Sequence, residues 1–476
     1  MAASATEVPK REFRGAWLHT VYQDGYARRT TEQNRRWLIV QLDSLQEAGI
    51  NAVIFQVRPS ADAFYASKYE PWSKFLTKGG KAPAPYWDPL EFMIEQCHAR
   101  GMELHAWLNP YRATTSSKEK LPSAHPAASH PERMIRFDKK LYFDPALPEN
   151  RKLIVDVVSD IVSRYDVDGI HFDDYFYPYP VRGQKFADDR SYRRFGNGMS
   201  RGDWRRHNVD LLIESVSEAI RNIKPWVRFG VSPFGIWRNA RTDPSGSQSS
   251  GLQNYDDLYA DVLKWAREGW IDYQMPQLYW TLENKVAPSM HLAQWWSENA
   301  FGRHIYIGQD VDRTMQNPDI PPYADQSQLR HKIEITREND NIQGSCFWPG
   351  YYVTENHGGI ADSLAADLHA FAALVPDYPW LGGQTPRAPR GLSVNGRLLS
   401  WDSSPVRMSV DDVTRYVVYC FEENDEIDLG DPSAIMCVTP ACQYSIPEDI
   451  PRGSIFIVTA LNRVNAESGP SEFITY

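Results

Sequence analysis

The stretch that decides the fold is DGIHFDDYFYPYP, Asp168 to Pro180. A short apolar β-former run, GIHF, leads straight into two adjacent carboxylates, which are followed by aromatic rings and prolines. The run from Gly169 to Pro178, bounded by turn residues, reads as a buried strand that carries the carboxylate pair toward its C-terminal end. Side chains alternate along a strand. His171, Asp173 and Tyr175 are therefore expected on one face, with Phe172 and Asp174 on the other. If Phe172 packs against helices, His171 and Asp173 point inward, and the two carboxylates are not a matched pair.

Similar runs recur on both sides. RGAWLHT, NAVIFQVRP and ELHAWLNPY precede the opening stretch; RFGVSPFGIW, WIDYQMPQLYW, HIYIGQD and GSCFWPG follow it. Helical patterns fill the gaps. NRRWLIVQLDSLQEAG ends on Gly49 as a C-cap, DPLEFMIEQCHARG opens with Asp88 as N-cap, and RKLIVDVVSDIVSRY carries one apolar stripe. Strands that each precede a helix predict an α/β fold, a (β/α)8 TIM barrel over residues 11–375. A doubly wound open sheet is the competing layout, but no glycine-rich phosphate turn follows the first strand.

After Val375 the texture changes. Residues 376–388 concentrate Pro and Gly as linkers do, and residues 389–476 lose helical periodicity. Trp401, the alternating stripe from Tyr416 to Val418 and the run FIVTALNRVNAES look like a fibronectin type III-like β-sandwich.

The chain has 476 residues and a net charge of −10, without basic runs, which argues against nucleic acid as a partner. No stretch approaches the roughly 18 apolar residues of a membrane span. The 16 Trp and 25 Tyr are compatible with a large core or with a sugar-binding cleft, since aromatic faces match the C–H faces of pyranose rings. The five cysteines form no CxxC pattern; Cys437 and Cys442 are close enough in sequence for a bridge.

Barrel active sites lie at the C-terminal ends of the strands. The polar and aromatic residues expected there are His19, Gln56, Arg58, Trp107, Asn109, Arg112, His171 and Tyr175, then Trp237, Gln277, Tyr279 and Trp348. Amides, guanidinium groups and indoles at one mouth suit a neutral, hydroxyl-rich ligand, so these form the expected substrate-binding set. Cleaving a glycosidic bond needs a carboxylate at an oxocarbenium-like centre and an acid at the leaving oxygen. Asp173 suits the first role. Asp310, ending the seventh strand, is the preferred partner; Asp272, Glu355 and Asp174 remain open, and Asp174 has a further reading as a bond acceptor for Arg58 or Arg112. His125 and His130 lack the i, i+4 spacing of helix-borne metal ligands. No metal and no cofactor are expected.

With these motifs in place the sequence resembles the glycosyl hydrolase-like family 10 group of bacterial envelope proteins. The matching segments are EFRGAWLHTV, NAVIFQVRPSADAFY, LHAWLNPYR, DGIHFDDYFYP, GVSPFGIWRN and MPQLYW. The resemblance implies a barrel acting on polysaccharide, and relatives include an enzyme that cleaves peptidoglycan glycan strands stripped of stem peptides. The DGIHFD strand is also similar to the fourth strand of α-amylase- and α-galactosidase-type barrels, whose nucleophile matches Asp173. Gln274 and Gln277 stand where the α-galactosidase group carries its acid on the sixth strand. The expectation is thus a glycoside hydrolase, with a non-catalytic glycan-binding protein or a metal-dependent deacetylase as alternatives. The start of the chain has no apolar signal-peptide core. An envelope glycan substrate leads to a periplasmic, cell-surface or secreted protein whose signal has been removed.

Overall fold

The computed structural model describes residues 8–316, 326–423 and 425–476. Eight parallel strands close a barrel: β1 (Phe13–Leu18), β2 (Ala52–Arg58), β3 (Glu103–Leu108), β4 (Gly169–Phe172), β5 (Arg228–Val231), β6 (Tyr273–Gln274), β7 (His304–Asp310) and β8 (Ile342–Trp348). Each pairs with its neighbours in sequence and β8 closes on β1, as the TIM barrel expectation requires. The surrounding helices include α1 (Thr31–Glu47), α2 (Pro89–Ala99), α3 (Pro148–Arg164), α4 (Arg201–Ile223), α5 (Val262–Arg267), α6 (Ser289–Glu298) and α7 (Gln326–Arg337). Among the described residues, no helix is long and apolar enough to cross a membrane.

Local chemistry explains the element ends. Thr30 and Gln33 form a reciprocal capping box at the start of α1. At its end Gly49 takes φ +73 while Ile50 N–H donates to Leu45 O at 3.0 Å. Asp88 caps α2 by accepting from Leu90 N and Glu91 N, and its other oxygen accepts from Tyr165 and Ala66 N. On α3, Ile154, Val157, Val158 and Ile161 are fully buried; truncating any of them to Ala costs about 2–5 kcal/mol.

Three elements depart from the sequence expectation. The sixth strand, expected over Trp270 to Trp280, has its regular ladder at Tyr273–Gln274; past Pro276, which brings no N–H, Gln277 pairs again through single bridges to Phe234 and Gly308. The fourth strand ends at Phe172 rather than running into the tyrosines. An unexpected hairpin, Met134–Phe137 with Lys140–Phe143, stands in the loop between β3 and α3. It turns on Asp138 and Lys139, both at positive φ, without the glycine that usually marks such a turn.

Bulky rings fill the barrel axis. Phe13 stacks on Tyr306 with centroids 4.0 Å apart, and Tyr273 lies against both. Glycines make the room: a Cβ on Gly230 would lie 2.0 Å from the Tyr273 ring, and one on Gly169 would lie 2.5 Å from His105.

Beyond the barrel, a four-stranded antiparallel sheet in the order Ile435–Thr439, Val413–Phe421, Ile455–Asn462, Ile474–Thr475 accompanies a three-stranded sheet built on Leu398–Ser400. The long central strand is buried on both faces. Tyr416 and Val418 pack with Trp401 and Phe456, whereas Val417 and Tyr419 pack with Leu374 at the end of the barrel chain. All five cysteines are free thiols, including Cys437 and Cys442.

Candidate active site

At the C-terminal ends of the strands lies a cavity of about 310 Å³. Trp17, Trp107 and Trp348 supply indole walls, and Asp173, Asp174 and Tyr279 supply polar groups. Of the residues expected at the mouth, His19, Gln56, Arg112, Tyr175 and Gln277 also line it.

The carboxylate pair corrects the alternation argument. Both Asp173 and Asp174 line the cavity. The ladder has ended one residue earlier. Asp174 N–H is diverted to Asp173 Oδ1 at 2.9 Å, and Phe176 N–H folds back to Asp174 O at 3.0 Å. The chain turns there, so neighbours need not face opposite ways. The Asp173 carboxyl acts directly on that of Asp174.

Their surroundings differ. Asp173 is ringed by donors: Asn109 Nδ2 at 3.0 Å on Oδ2, and on Oδ1 the backbone N–H of Asp174 with Gln277 Nε2 at 3.4 Å. Asn109 is itself held by Gln56 Nε2 at 2.6 Å and Arg112 Nη2 at 3.0 Å, both on its carbonyl oxygen, which leaves its amide nitrogen aimed at Asp173. Asp174 is 3% exposed and accepts from Tyr179. Burial, then the neighbouring Asp173, push its carboxyl well above the usual carboxylate range. Thus Asp174 accepts from Tyr179 and not from Arg58 or Arg112.

Arg58 is withdrawn from the mouth. It is fully buried, paired with Glu70 through Nε (2.8 Å) and Nη2 (2.6 Å), and donates to the carbonyls of Asn109 and Pro110. It therefore holds the backbone that carries Asn109. Trp237 packs on Trp295 at 5.9 Å rather than on the cavity wall. Asp310 accepts from Arg313 N–H at 2.9 Å and pairs with its guanidinium, capping the short helix Val311–Gln316. Burial raises its carboxyl, and together with Asp173 and Asp174 it also raises the Tyr279 phenol, after burial itself. The imidazole of His125 caps the turn Pro126–Ser129 and meets Ser60 O.

His171 points inward but lies beneath the cavity, in a chain along the barrel axis. Trp17 Nε1 meets His171 Nε2 at 3.2 Å, and His171 Nδ1 meets Tyr273 Oη at 3.2 Å. Tyr273 Oη meets His105 Nδ1 at 2.8 Å, and His105 Nε2 meets Glu103 at 3.1 Å. Burial holds His171 well below its ordinary pKa, and holds His19, on the cavity wall, down to about 4. Both imidazoles are neutral at pH 7.

Trp17, Val21, Tyr22 and Tyr179 were not among the expected residues. Trp17 shares the inward parity of Phe13 and Gly15, which is a signal legible on β1. Tyr22 and Tyr179 lie beyond strand ends, where periodicity is silent.

The profile of the glycosyl hydrolase-like 10 family matches residues 12–324. The chain is similar to glycosyl hydrolase YngK of Bacillus subtilis (strain 168), 40% identical over 423 residues, covering 86% of this chain and 82% of the relative. Glycosyl hydrolase DigH of Escherichia coli (strain K12) is 39% identical over 330 residues, covering 64% of this chain and 74% of the relative. Among solved structures, the PgaB (BpsB) glycoside hydrolase domain from Bordetella bronchiseptica aligns with a TM-score of 0.48 at 14% identity, covering 74% of this chain and 98% of that one. The chain belongs to the glycosyl hydrolase-like 10 family.

Proposed function

We propose that the protein is a glycoside hydrolase that cleaves within glycan chains, and that its substrate is the peptidoglycan glycan strand freed of stem peptides. The observation that carries this reading is the unequal pair in the barrel mouth: Asp173 accepts from three donors, while Asp174 is buried beside it with its carboxyl pushed well above the usual range. Asp174 supplies the proton to the leaving oxygen, and Asp173 supports the substrate group onto which the developing positive charge passes. The indole walls hold the sugar ring.

Neighbouring carboxyls that act directly on each other on one side of the cavity do not flank a glycosidic bond from two faces, for which the usual separations are about 5–5.5 Å for retention and 6.5–9.5 Å for inversion. A group on the second face must come from elsewhere. The 2-acetamido group of a peptidoglycan sugar meets that need. Its carbonyl oxygen bonds to the anomeric carbon as the C–O bond to the leaving group breaks and Asp174 gives up its proton, and Asp173 accepts the amide N–H. Water then opens the cyclic intermediate and returns the proton to Asp174. A substrate of this kind puts the protein in the periplasm, at the cell surface or outside the cell. The β-region after residue 389 is read as fibronectin type III-like, on its two antiparallel sheets and the buried Trp401.

Incubation with denuded glycan strands and mass spectrometry of the products tests this. Reducing-end saccharide fragments are expected from the wild type and not from Asp173→Asn. Binding without fragments would mark a glycan-binding barrel instead, and equal activity in Asp173→Asn would sink the assignment.

A further inference from the structure

Residues 19–23 form the turn by which the chain leaves β1, and almost everything in it is tied down. Thr20 N and Val21 N both donate to Gln56 Oε1, at 2.9 and 2.8 Å, and Thr20 Oγ1 donates to Gln56 O at 2.9 Å. Gln23 closes the turn through its N–H on Thr20 O and its side-chain amide against His19. Thr20 is fully buried. Tyr22, in the middle of this turn, is 63% exposed and sits at φ +62.

A tyrosine here is costly on both counts. Left-handed backbone is strained for any residue with a Cβ, and glycine would adopt it freely. An exposed ring recovers little of that cost by burial. The ring nevertheless stands in a defined place, on the wall of the cavity that holds Asp173 and Asp174, with its edge against Phe75 at 5.9 Å. A rigid turn that thrusts one strained aromatic out at the mouth of a site is explained by a ligand more readily than by folding.

We propose that Tyr22 is the platform of an outer sugar-binding subsite, on which a pyranose ring of the same glycan stacks beyond the ring held at Asp173 and Asp174. The inference rests on the glycan-cleaving function proposed above. A phenol ring offers a flat apolar face to the C–H groups of a sugar and a hydroxyl at its tip for hydrogen bonding. An outer subsite makes cleavage depend on chain length, because a longer chain engages the platform and a short one does not.

The test uses the full chain and denuded peptidoglycan strands fractionated into disaccharide, tetrasaccharide and octasaccharide. For Tyr22→Ala and Tyr22→Gly, the ratio of kcat/KM on octasaccharide to that on tetrasaccharide is expected to fall about tenfold, mostly through KM. Tyr22→Phe is expected to keep most of the ratio. Tyr22→Gly is also expected to match or exceed the wild-type Tm, since the strain is relieved. An unchanged length dependence in Tyr22→Ala would overturn the subsite while leaving the hydrolase reading intact. So would a lowered Tm in Tyr22→Gly with activity lost equally at every length, which is the behaviour of a structural residue. A wild type that cleaves none of the three sizes would overturn the hydrolase reading and the subsite with it.

Discussion

Trp17 and His171 share a hydrogen bond whose direction is forced. An indole N–H only donates, so Nε2 of His171, 3.2 Å away, accepts. The proton of the neutral ring is then on Nδ1, which donates to Tyr273 Oη. Tyr273 in turn donates to His105 Nδ1, and His105 Nε2–H donates to the Glu103 carboxylate. One indole and one carboxylate thus set both histidine tautomers, and the floor of the cavity is coupled to the opposite end of the barrel.

Tyr273 is the link that both imidazoles need. In Tyr273→Phe the ring still fits the space left by Gly230, but His171 loses its acceptor and His105 its donor. Leaving buried polar groups unpaired costs about 1–3 kcal/mol each, so urea unfolding is expected to show a loss of roughly 2–5 kcal/mol. A variant as stable as the wild type would mean that the chain carries no stabilisation.

The far end of this chain joins the second β-region. Glu103 accepts from Arg228 Nη2 at 2.9 Å, from Asn465 Nδ2 at 2.9 Å and from Arg415 Nη2 at 3.2 Å, the last two from beyond residue 389. Breaking such a buried pair from one side costs about 3–5 kcal/mol. Arg415→Met is therefore expected to lower Tm by many degrees, whereas removing exposed Arg36 from its pair with Glu32 costs under about 0.5 kcal/mol. Burial pushes the Glu103 carboxyl up, but Arg228, His105 and Arg415 outweigh it and hold it well below its ordinary value. The stabilisation from a lowered carboxyl is present above its unfolded pKa, about 4.3, and is lost as pH falls. Glu103→Gln should accordingly show a flatter acid limb in Tm against pH.

Asp174 has the opposite sign. Its folded pKa is raised, so the unfolded chain ionises first and stability drains away as pH rises above about 4. Asp174→Asn keeps a neutral side chain of the same shape. It is expected to raise Tm at pH 7 while cutting kcat by about 10²–10⁴-fold, the usual contribution of a general acid. In the wild type, activity should fall on the alkaline side as this carboxyl ionises, and that limb should vanish in Asp174→Asn. If Tm falls at pH 7, Asp174 is ionised in the native state and is not the acid.

The barrel was legible because period-2 and helical patterns alternate through the whole region, and because Gly49 and Asp88 punctuate them correctly. The site was legible only as far as the strands run. Gln56, Trp107 and Trp348 sit on strands and fall where their parity places them. Asp174 departs from its alternation face because the ladder stops at Phe172 and its N–H turns to Asp173 Oδ1, which no periodicity announces. Arg58 was misplaced because its partner, Glu70, comes from a loop whose path the sequence pattern does not determine.

Lys332 shows how the loop carrying Gln277 and Tyr279 is held at the mouth. Its ammonium, on α7 and 4% exposed, donates to Leu278 O at 2.7 Å and Trp280 O at 3.0 Å, the carbonyls on either side of Tyr279. Pro276 removes a ladder bond just upstream and Gln277 pairs only through single bridges to Phe234 and Gly308, so this clamp reinforces a sparse ladder where the chain must present Tyr279 to the two carboxylates. Lys332→Met leaves both carbonyls without that donor, and a stability loss of roughly 2–4 kcal/mol is expected. A displaced Tyr279 should lower kcat about tenfold or more, given how steeply catalysis depends on placement. Burial, against the pull of Asp310, brings the Lys332 ammonium down to about 8. Between that pH and about 10.4 the unfolded chain binds more protons than the native one, so this residue stabilises the wild type increasingly as pH rises. Lys332→Met lacks the titration. The gap between the two in urea unfolding should therefore widen from pH 7 to pH 9.5, and a constant gap would mean that Lys332 is not desolvated beneath the loop.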